Sequence, residues 1–172
     1  NALDYGADPT GVADSRSAIN SAFAACEAAG AGTVLFPNGT YYCSDYVGTT
    51  FSANLTDIKV IGNGSKISLN PTTAANYSMY LYWPNLNSIL VKGIEIDGNT
   101  KTATGIIIRN QSVTASCVSA VVEDCVVRNL HAVDDASITA NVTGINIDST
   151  FEGNKAVIRN CLVENVTRAK AG

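Results

Sequence analysis

Segments of this chain can be laid over one another at nearly constant spacing, and that self-similarity limits what it can fold into. Asn54-Leu55-Thr56-Asp57-Ile58-Lys59-Val60-Ile61-Gly62 matches Asn85-Leu86-Asn87-Ser88-Ile89-Leu90-Val91-Lys92-Gly93, a shift of 31 residues. Val122-Glu123-Asp124-Cys125-Val126-Val127-Arg128-Asn129 recurs as Ile158-Arg159-Asn160-Cys161-Leu162-Val163-Glu164-Asn165, a shift of 36. Repeats of this length mark a solenoid, in which each unit buries its apolar face only by stacking on the next. Within each unit apolar and polar residues alternate over four to six positions, the period of a strand with one face buried and one wet. Too few residues separate the strands for a crossover helix, so the units wrap as coils of a parallel β-helix.

The interior of such a stack is narrow, and small or flat residues should recur along it. Gly62, Gly93, Cys125 and Cys161 are expected to form that interior column. Asn129 and Asn165 fall at a turn, where stacked amides can hydrogen-bond from coil to coil and satisfy a bend that would otherwise bury bare backbone groups.

The start of the chain follows a different rule. Asp14 or Ser15 can cap a helix over residues 15–29 whose apolar stripe is Ala18, Ile19, Ala22, Phe23 and Cys26, and Gly30 supplies its left-handed stop. Strands at 33–36 and 40–43 flank a tight Pro37-Asn38-Gly39 turn. A solenoid end exposes apolar interior and unpaired strand edges, and a helix laid across it covers both. Residues 1–45 therefore read as a cap and 46–172 as coils, giving an all-β solenoid with an N-terminal capping α-helix.

Charge narrows the partners. A net charge of −4 and a pI near 4.8 argue against nucleic acid or an anionic membrane surface, since phosphate binding needs clustered Lys and Arg. No apolar run reaches the length of a membrane span. The five cysteines, Cys26, Cys43, Cys117, Cys125 and Cys161, form no CxxC or Cys/His metal spacing, so no metal or other cofactor is expected. They read as small buried apolar residues, with a Cys26–Cys43 bridge as the alternative for that pair.

Leu3-Asp4-Tyr5-Gly6-Ala7-Asp8-Pro9-Thr10-Gly11, then Asp14-Ser15, Ala18-Ile19 and Gly32-Thr33-Val34-Leu35-Phe36-Pro37-Asn38-Gly39-Thr40-Tyr41, resemble the opening motif of the pectate-lyase/polygalacturonase superfamily, in the form found in bacteriophage tailspikes. Ile94-Glu95-Ile96-Asp97-Gly98-Asn99 is also similar to a segment common there. The resemblance implies a right-handed parallel β-helix that binds or cleaves polysaccharide, located on a virion or outside the cell, with three chains side by side. It also counts against the polygalacturonase site. Thr143 stands where that family's Asn-Thr-Asp would put an acid, and Glu164-Asn165-Val166-Thr167 lacks the following Asp pair.

Other residues are candidates on their own chemistry. His131, Asp134 and Asp135 lie close together in sequence and could share protons or hold a cation. Glu95, Asp97, Glu123 and Asp148 could gather on an outer sheet face, and Asp148 is included among the catalytic candidates. Tyr80, Tyr82 and Trp83, with Tyr77 nearby, are the substrate-binding candidates, because such rings stack on the apolar faces of sugars while their polar tips stay wet. Tyr80 and Tyr82 alternate, so both should point the same way. Seven Asn-x-Ser/Thr triplets, at Asn38, Asn54, Asn63, Asn76, Asn110, Asn141 and Asn165, mark glycan acceptors if the chain passes through a eukaryotic secretory route, although a composition rich in these residues yields such triplets by chance.

After Val166 no second lid follows, so the chain is expected to continue beyond residue 172 or to stack end to end on a partner. The leading expectation is a tailspike-like polysaccharide-recognising β-helix whose cleaving carboxylates, if it is an enzyme, lie downstream. A non-enzymatic β-helix of a fibre or shell and a secreted pectin-degrading enzyme are the rivals.

Overall fold

The computed structural model of the chain describes residues 1–50, 55–71, 75–83, 86–110, 119–132, 142–149 and 155–168. A short 3₁₀ turn (Ala2–Tyr5) leads into β1 (Thr10–Asp14), α1 (Arg16–Ala29), β2 (Gly32–Phe36), β3 (Gly39–Cys43) and β4 (Val47–Thr50). Then come β5 (Leu55–Leu69), β6 (Ala75–Trp83), β7 (Leu86–Asp97), β8 (Thr102–Asn110), β9 (Ser119–Glu123), β10 (Val126–Ala132), β11 (Thr143–Ser149), β12 (Lys155–Arg159) and β13 (Leu162–Arg168).

Among the described residues every strand pairing is parallel, and the two longest strands explain the topology. The front of β5 pairs with β2 and its back with β3; the front of β7 pairs with β9 and its back with β10. Each is thus two strands joined by a corner, with a break in register between Ile61 and Ser65 where β5 meets β7. Three faces result. The first runs β2, β5, β7, β9, β12; the second β1, β3, β5, β7, β10, β13; the third β4, β6, β8, β11. This is a parallel β-helix. Pro37-Asn38-Gly39 is a corner between the first two faces, since β2 and β3 both pair with β5.

Both sequence repeats are registers of this stack. Ile58 faces Ile89 and Val60 faces Val91; Val122 faces Ile158 and Val126 faces Leu162. Alternation then sends Ile58, Val60, Ile67, Ile89, Val91, Ile96 and Val127 into a continuous core from which water is excluded, each such side chain contributing about 1.5–3 kcal/mol.

The interior column differs from its expected membership. Lys92 faces Glu123 and Glu95 faces Val126, so Cys125 faces Ile94, and Ser65 faces Ile94 from the other side. Ser65, Ile94, Cys125 and Cys161 therefore line the inside, the first three of them buried. Gly93 lies one position earlier, at the corner, in register with Asp124 and Asn160. All three have left-handed backbone (φ 67°, 54° and 53°). The corner demands that conformation, which glycine adopts freely and short Asp or Asn side chains tolerate. Gly62 does meet Gly93, whose carbonyl occupies the space a Gly62 side chain would need.

The second corner matches expectation. Asn129 and Asn165 are left-handed (φ 55° and 53°). Asn165 Nδ2 donates to Asn129 Oδ1 at 3.2 Å, and Asn129 Nδ2 donates to Asp97 Oδ1 at 2.9 Å, so the ladder is founded on a carboxylate one coil earlier.

α1 buries Ile19, Ala22, Phe23 and Cys26, with Ala18 packed against the same core. Ser15 is the N-cap residue but its side chain makes no capping bond: the Asp14 Oδ1 accepts the Arg16 N–H at 3.0 Å, while the Ser15 hydroxyl accepts the Asp8 N–H at 2.9 Å. The helix also covers a strand edge, since Asn20 Oδ1 accepts the Gly48 N–H of β4 at 3.0 Å. Cys26 and Cys43 are both buried free thiols, so the alternative of a bridge between them is corrected. Cys26 packs on Gly32, whereas the Cys43 thiol reaches the Tyr41 carbonyl at 3.8 Å.

Candidate functional site

Stacking turns each outward position into a row running across the coils, so the three faces can be compared by what their rows carry. On the first face, Lys92 Nζ lies 2.8 Å from Glu123 and 3.4 Å from Asp124, and the Arg159 guanidinium holds the other Glu123 oxygen. The Lys92 and Arg159 hydrogen bonds keep the Glu123 carboxyl below its usual range. On the second face, Lys66 lies 3.9 Å from Glu95 and 3.7 Å from Asp97, while Arg128 is 3.4 Å from both Glu95 and Glu164. Neighbouring coils do bring Glu95, Asp97 and Glu123 onto outer faces, but interleaved with cations rather than paired with one another.

The third face is different. Its outward rows are Gly48, Tyr80, Ile107, Asn146 and Thr50, Tyr82, Arg109, Asp148. Tyr80 and Tyr82 point the same way, as alternation predicts, with centroids 6.3 Å apart and planes within 11°. Tyr77 lies 4.9 Å from Tyr80 at 36°, and Tyr46 meets Tyr80 edge-on at 6.3 Å from the coil before. Four rings thus form one shelf. Gly48 keeps it tight: a side chain there would collide with the Tyr80 carbonyl, so β4 closes on β6 only with glycine at that point.

Two arginines flank the shelf. The Arg16 guanidinium sits 5.4 Å above the Tyr46 ring, its Nε donates to the Tyr46 carbonyl at 3.1 Å, and it pairs with Asp45 at 3.3 Å. Arg109 Nε donates to Asp148 Oδ2 at 3.1 Å across one coil. Burial pushes the Tyr80 phenol up, against the opposing pull of Arg109. Beyond Arg16 the shelf runs into an open polar cleft of about 480 Å³ lined by Asp14, Arg16, Ser17, Asn20, Ser21 and Ser44. Hydrogen bonds to the Ser44 hydroxyl and to the Arg16 and Ser44 N–H groups outweigh burial there and hold the Asp14 carboxyl low.

The remaining candidates are scattered. His131, on β10, shares a 2.9 Å hydrogen bond between Nδ1 and Thr167 Oγ1, whereas Asp148 belongs to β11 in the other sheet. Asp134, Asp135 and the Trp83 side chain lie outside the described residues, as do Asn54, Asn141 and the Asn110 side chain. Asn165 is engaged in its ladder through the amide nitrogen a glycan would need. Among the described residues no three His, Cys, Asp or Glu side chains converge as a metal site would require.

Rhamnogalacturonase A/epimerase, pectate lyase-like, is the family model that matches, over residues 1–171. The chain belongs to this family. No curated protein and no solved structure matches it. Membership in the pectate lyase-like family makes this a polysaccharide-related β-helix protein and sustains the superfamily resemblance read from residues 3–42. Among the described residues no helix is long and apolar enough to cross a membrane. The third face of this family member carries aromatic surface edged by hydrogen-bonding groups. Sequence reading missed Tyr46, Arg16 and Arg109. Laying 47–50, 79–82, 106–109 and 145–148 over one another would have found the last, since Arg109 then falls between Tyr82 and Asp148.

Proposed function

We propose that this chain recognises a polysaccharide as a tailspike does, laying the polymer along the third face so that sugar rings stack on Tyr80 and Tyr82. The convergence of four tyrosines from two coils on one outward surface carries this reading. Sugar rings present C–H faces to aromatic planes and hydroxyls to their edges, where Arg109, Asp148 and Asn146 supply donors and acceptors. The polymer then meets the protein outside the cell, at a virion or cell surface.

Cleavage asks for more than the shelf supplies. Glycoside hydrolysis ordinarily uses two carboxyl groups flanking one sugar, one of them protonated. Of the described carboxylates, Asp148 alone stands in the shelf's strand rows, and it is engaged with Arg109. Recognition is accordingly the function assigned to these residues.

Affinity electrophoresis against a panel of capsular, O-antigen and plant polysaccharides tests the reading. Tyr80→Ala and Tyr82→Ala should each weaken binding by about 1–2 kcal/mol, roughly five- to thirtyfold. Tyr5→Ala removes an exposed tyrosine on the 3₁₀ turn and should change nothing. Equal affinity for wild type and both shelf variants would refute the assignment. New reducing ends or unsaturated uronates in the same incubations would add hydrolase or lyase activity to it.

A further inference from the structure

We infer that the shelf is built for a neutral stretch of glycan rather than a run of uronates, an inference that rests on the third face being the recognition surface. A site for anionic sugars presents guanidinium forks or ammonium groups with charge to spare, because each carboxylate must be met by an unneutralised cation. The two guanidinium groups that touch the described tyrosines are both already matched. Arg16 is pinned between the Tyr46 carbonyl and the Asp45 carboxylate. Arg109 is bonded to Asp148 and lies close enough to Tyr80 to pull on its phenol.

Each cation thus carries its own anion within contact distance, and the local charge cancels. The long-range field adds to this, since a chain of net charge −4 repels a polyanion. A uronate laid on Tyr82 would also meet the Asp148 carboxylate, whose side chain is 38% exposed beside Arg109. A neutral hydroxyl meets no such conflict. It can accept from a free guanidinium N–H and donate to Asp148 or to a phenol oxygen, using both halves of the ion pair without breaking it.

Binding of the wild-type chain to an array of neutral and uronate-containing glycans, at low and at high salt, tests this. Bound glycans should be neutral, with affinities nearly independent of salt. Asp148→Asn should release the Arg109 charge and raise affinity for polygalacturonate about tenfold at low salt, and high salt should erase the gain. Arg109→Gln with Asp148→Asn should abolish that gain, and far-UV circular dichroism of both variants confirms that the coils are intact. Wild-type binding confined to uronate glycans, with affinity falling steeply in salt, would overturn the inference and leave the shelf in place. So would an Asp148→Asn variant that folds and gains nothing for polygalacturonate. Silence on every glycan, neutral and acidic alike, would instead overturn the shelf as a recognition surface and this inference with it.

Discussion

Asn129 joins three coils through one side chain, so its replacement separates the components of coil stacking. Its amide donates to Asp97 at 2.9 Å and accepts from Asn165 at 3.2 Å, and its backbone is left-handed. The first bond has a charged acceptor, three-quarters buried or more in the corner (Asp97 side chain 15% exposed), and is worth about 1.5 kcal/mol; the second, exposed, about 0.5–1. Placing alanine at φ 55° costs about another 1 kcal/mol. Asn129→Ala should therefore destabilise the fold by about 3 kcal/mol, roughly 6–12 °C in melting temperature for a chain of this size.

Asn129→Gly removes the same two bonds without the backbone penalty, so it should lose only about 2 kcal/mol. Asn129→Asp keeps the backbone tolerance but sets a second carboxylate against Asp97. Like charges raise both acids in the folded state, so the loss should be largest at neutral pH and relieved as the pH falls through the raised values. Urea and thermal unfolding followed by far-UV circular dichroism give all three numbers. Ala and Gly variants that melt together would refute the backbone component, and three variants within about 0.5 kcal/mol of wild type would refute the ladder as a source of stability.

Asp8 ties the N-terminal turn, accepting from the Thr10 hydroxyl at 2.6 Å and from the Ala13, Thr10 and Val12 N–H groups, and these bonds lower its carboxyl to about 2. A lowered folded value means stability that is complete above about pH 4 and lost as the pH falls toward about 2. Limited pepsin cleavage ahead of α1 should rise across that window, and Asp8→Asn should raise it throughout and flatten the dependence. Burial pushes the thiols of Cys43 and Cys125 to about 12 and about 11, whereas Cys161 is only half-buried. Iodoacetamide at about pH 8 should modify Cys161 well before either in peptide mass spectra, and equal labelling of Cys125 and Cys161 would contradict the packing of the inner column.

The coil architecture was legible because it is written in spacing. Leu55 over Leu86, Val122 over Ile158 and Asn129 over Asn165 are all recovered by sliding the sequence against itself. The one-residue error at the first corner has a physical origin. Glycine and cysteine look interchangeable as small interior residues, but Gly93 is there for its backbone angle and Cys125 for its volume, so they belong to adjacent rows. The shelf was half visible. Tyr80 and Tyr82 share a strand and obey alternation, which needs no tertiary knowledge. Tyr46 reaches them from the preceding coil, ahead of a strand of only four residues, and Arg16 from a helix, so neither carries a local periodic signal.

Charge placement on the three faces also bears on where chemistry can occur. A general acid for glycoside cleavage must hold its proton near neutrality, which requires a raised carboxyl value from burial or from a second carboxylate. On the first face Glu123 is shifted the other way, held ionised by Lys92 and Arg159. On the second, Glu95, Asp97 and Glu164 each have a cation within 4 Å. Thr143, where the superfamily motif would put an acid, carries none. The acids of these two faces are thus engaged with cations across the coils, while the third face carries uncharged rings. On the proposed reading, replacing Tyr80 or Tyr82 should weaken polymer binding and any cleavage alike through lost affinity, whereas replacing Glu95 or Glu123 should alter stability and leave polymer affinity unchanged.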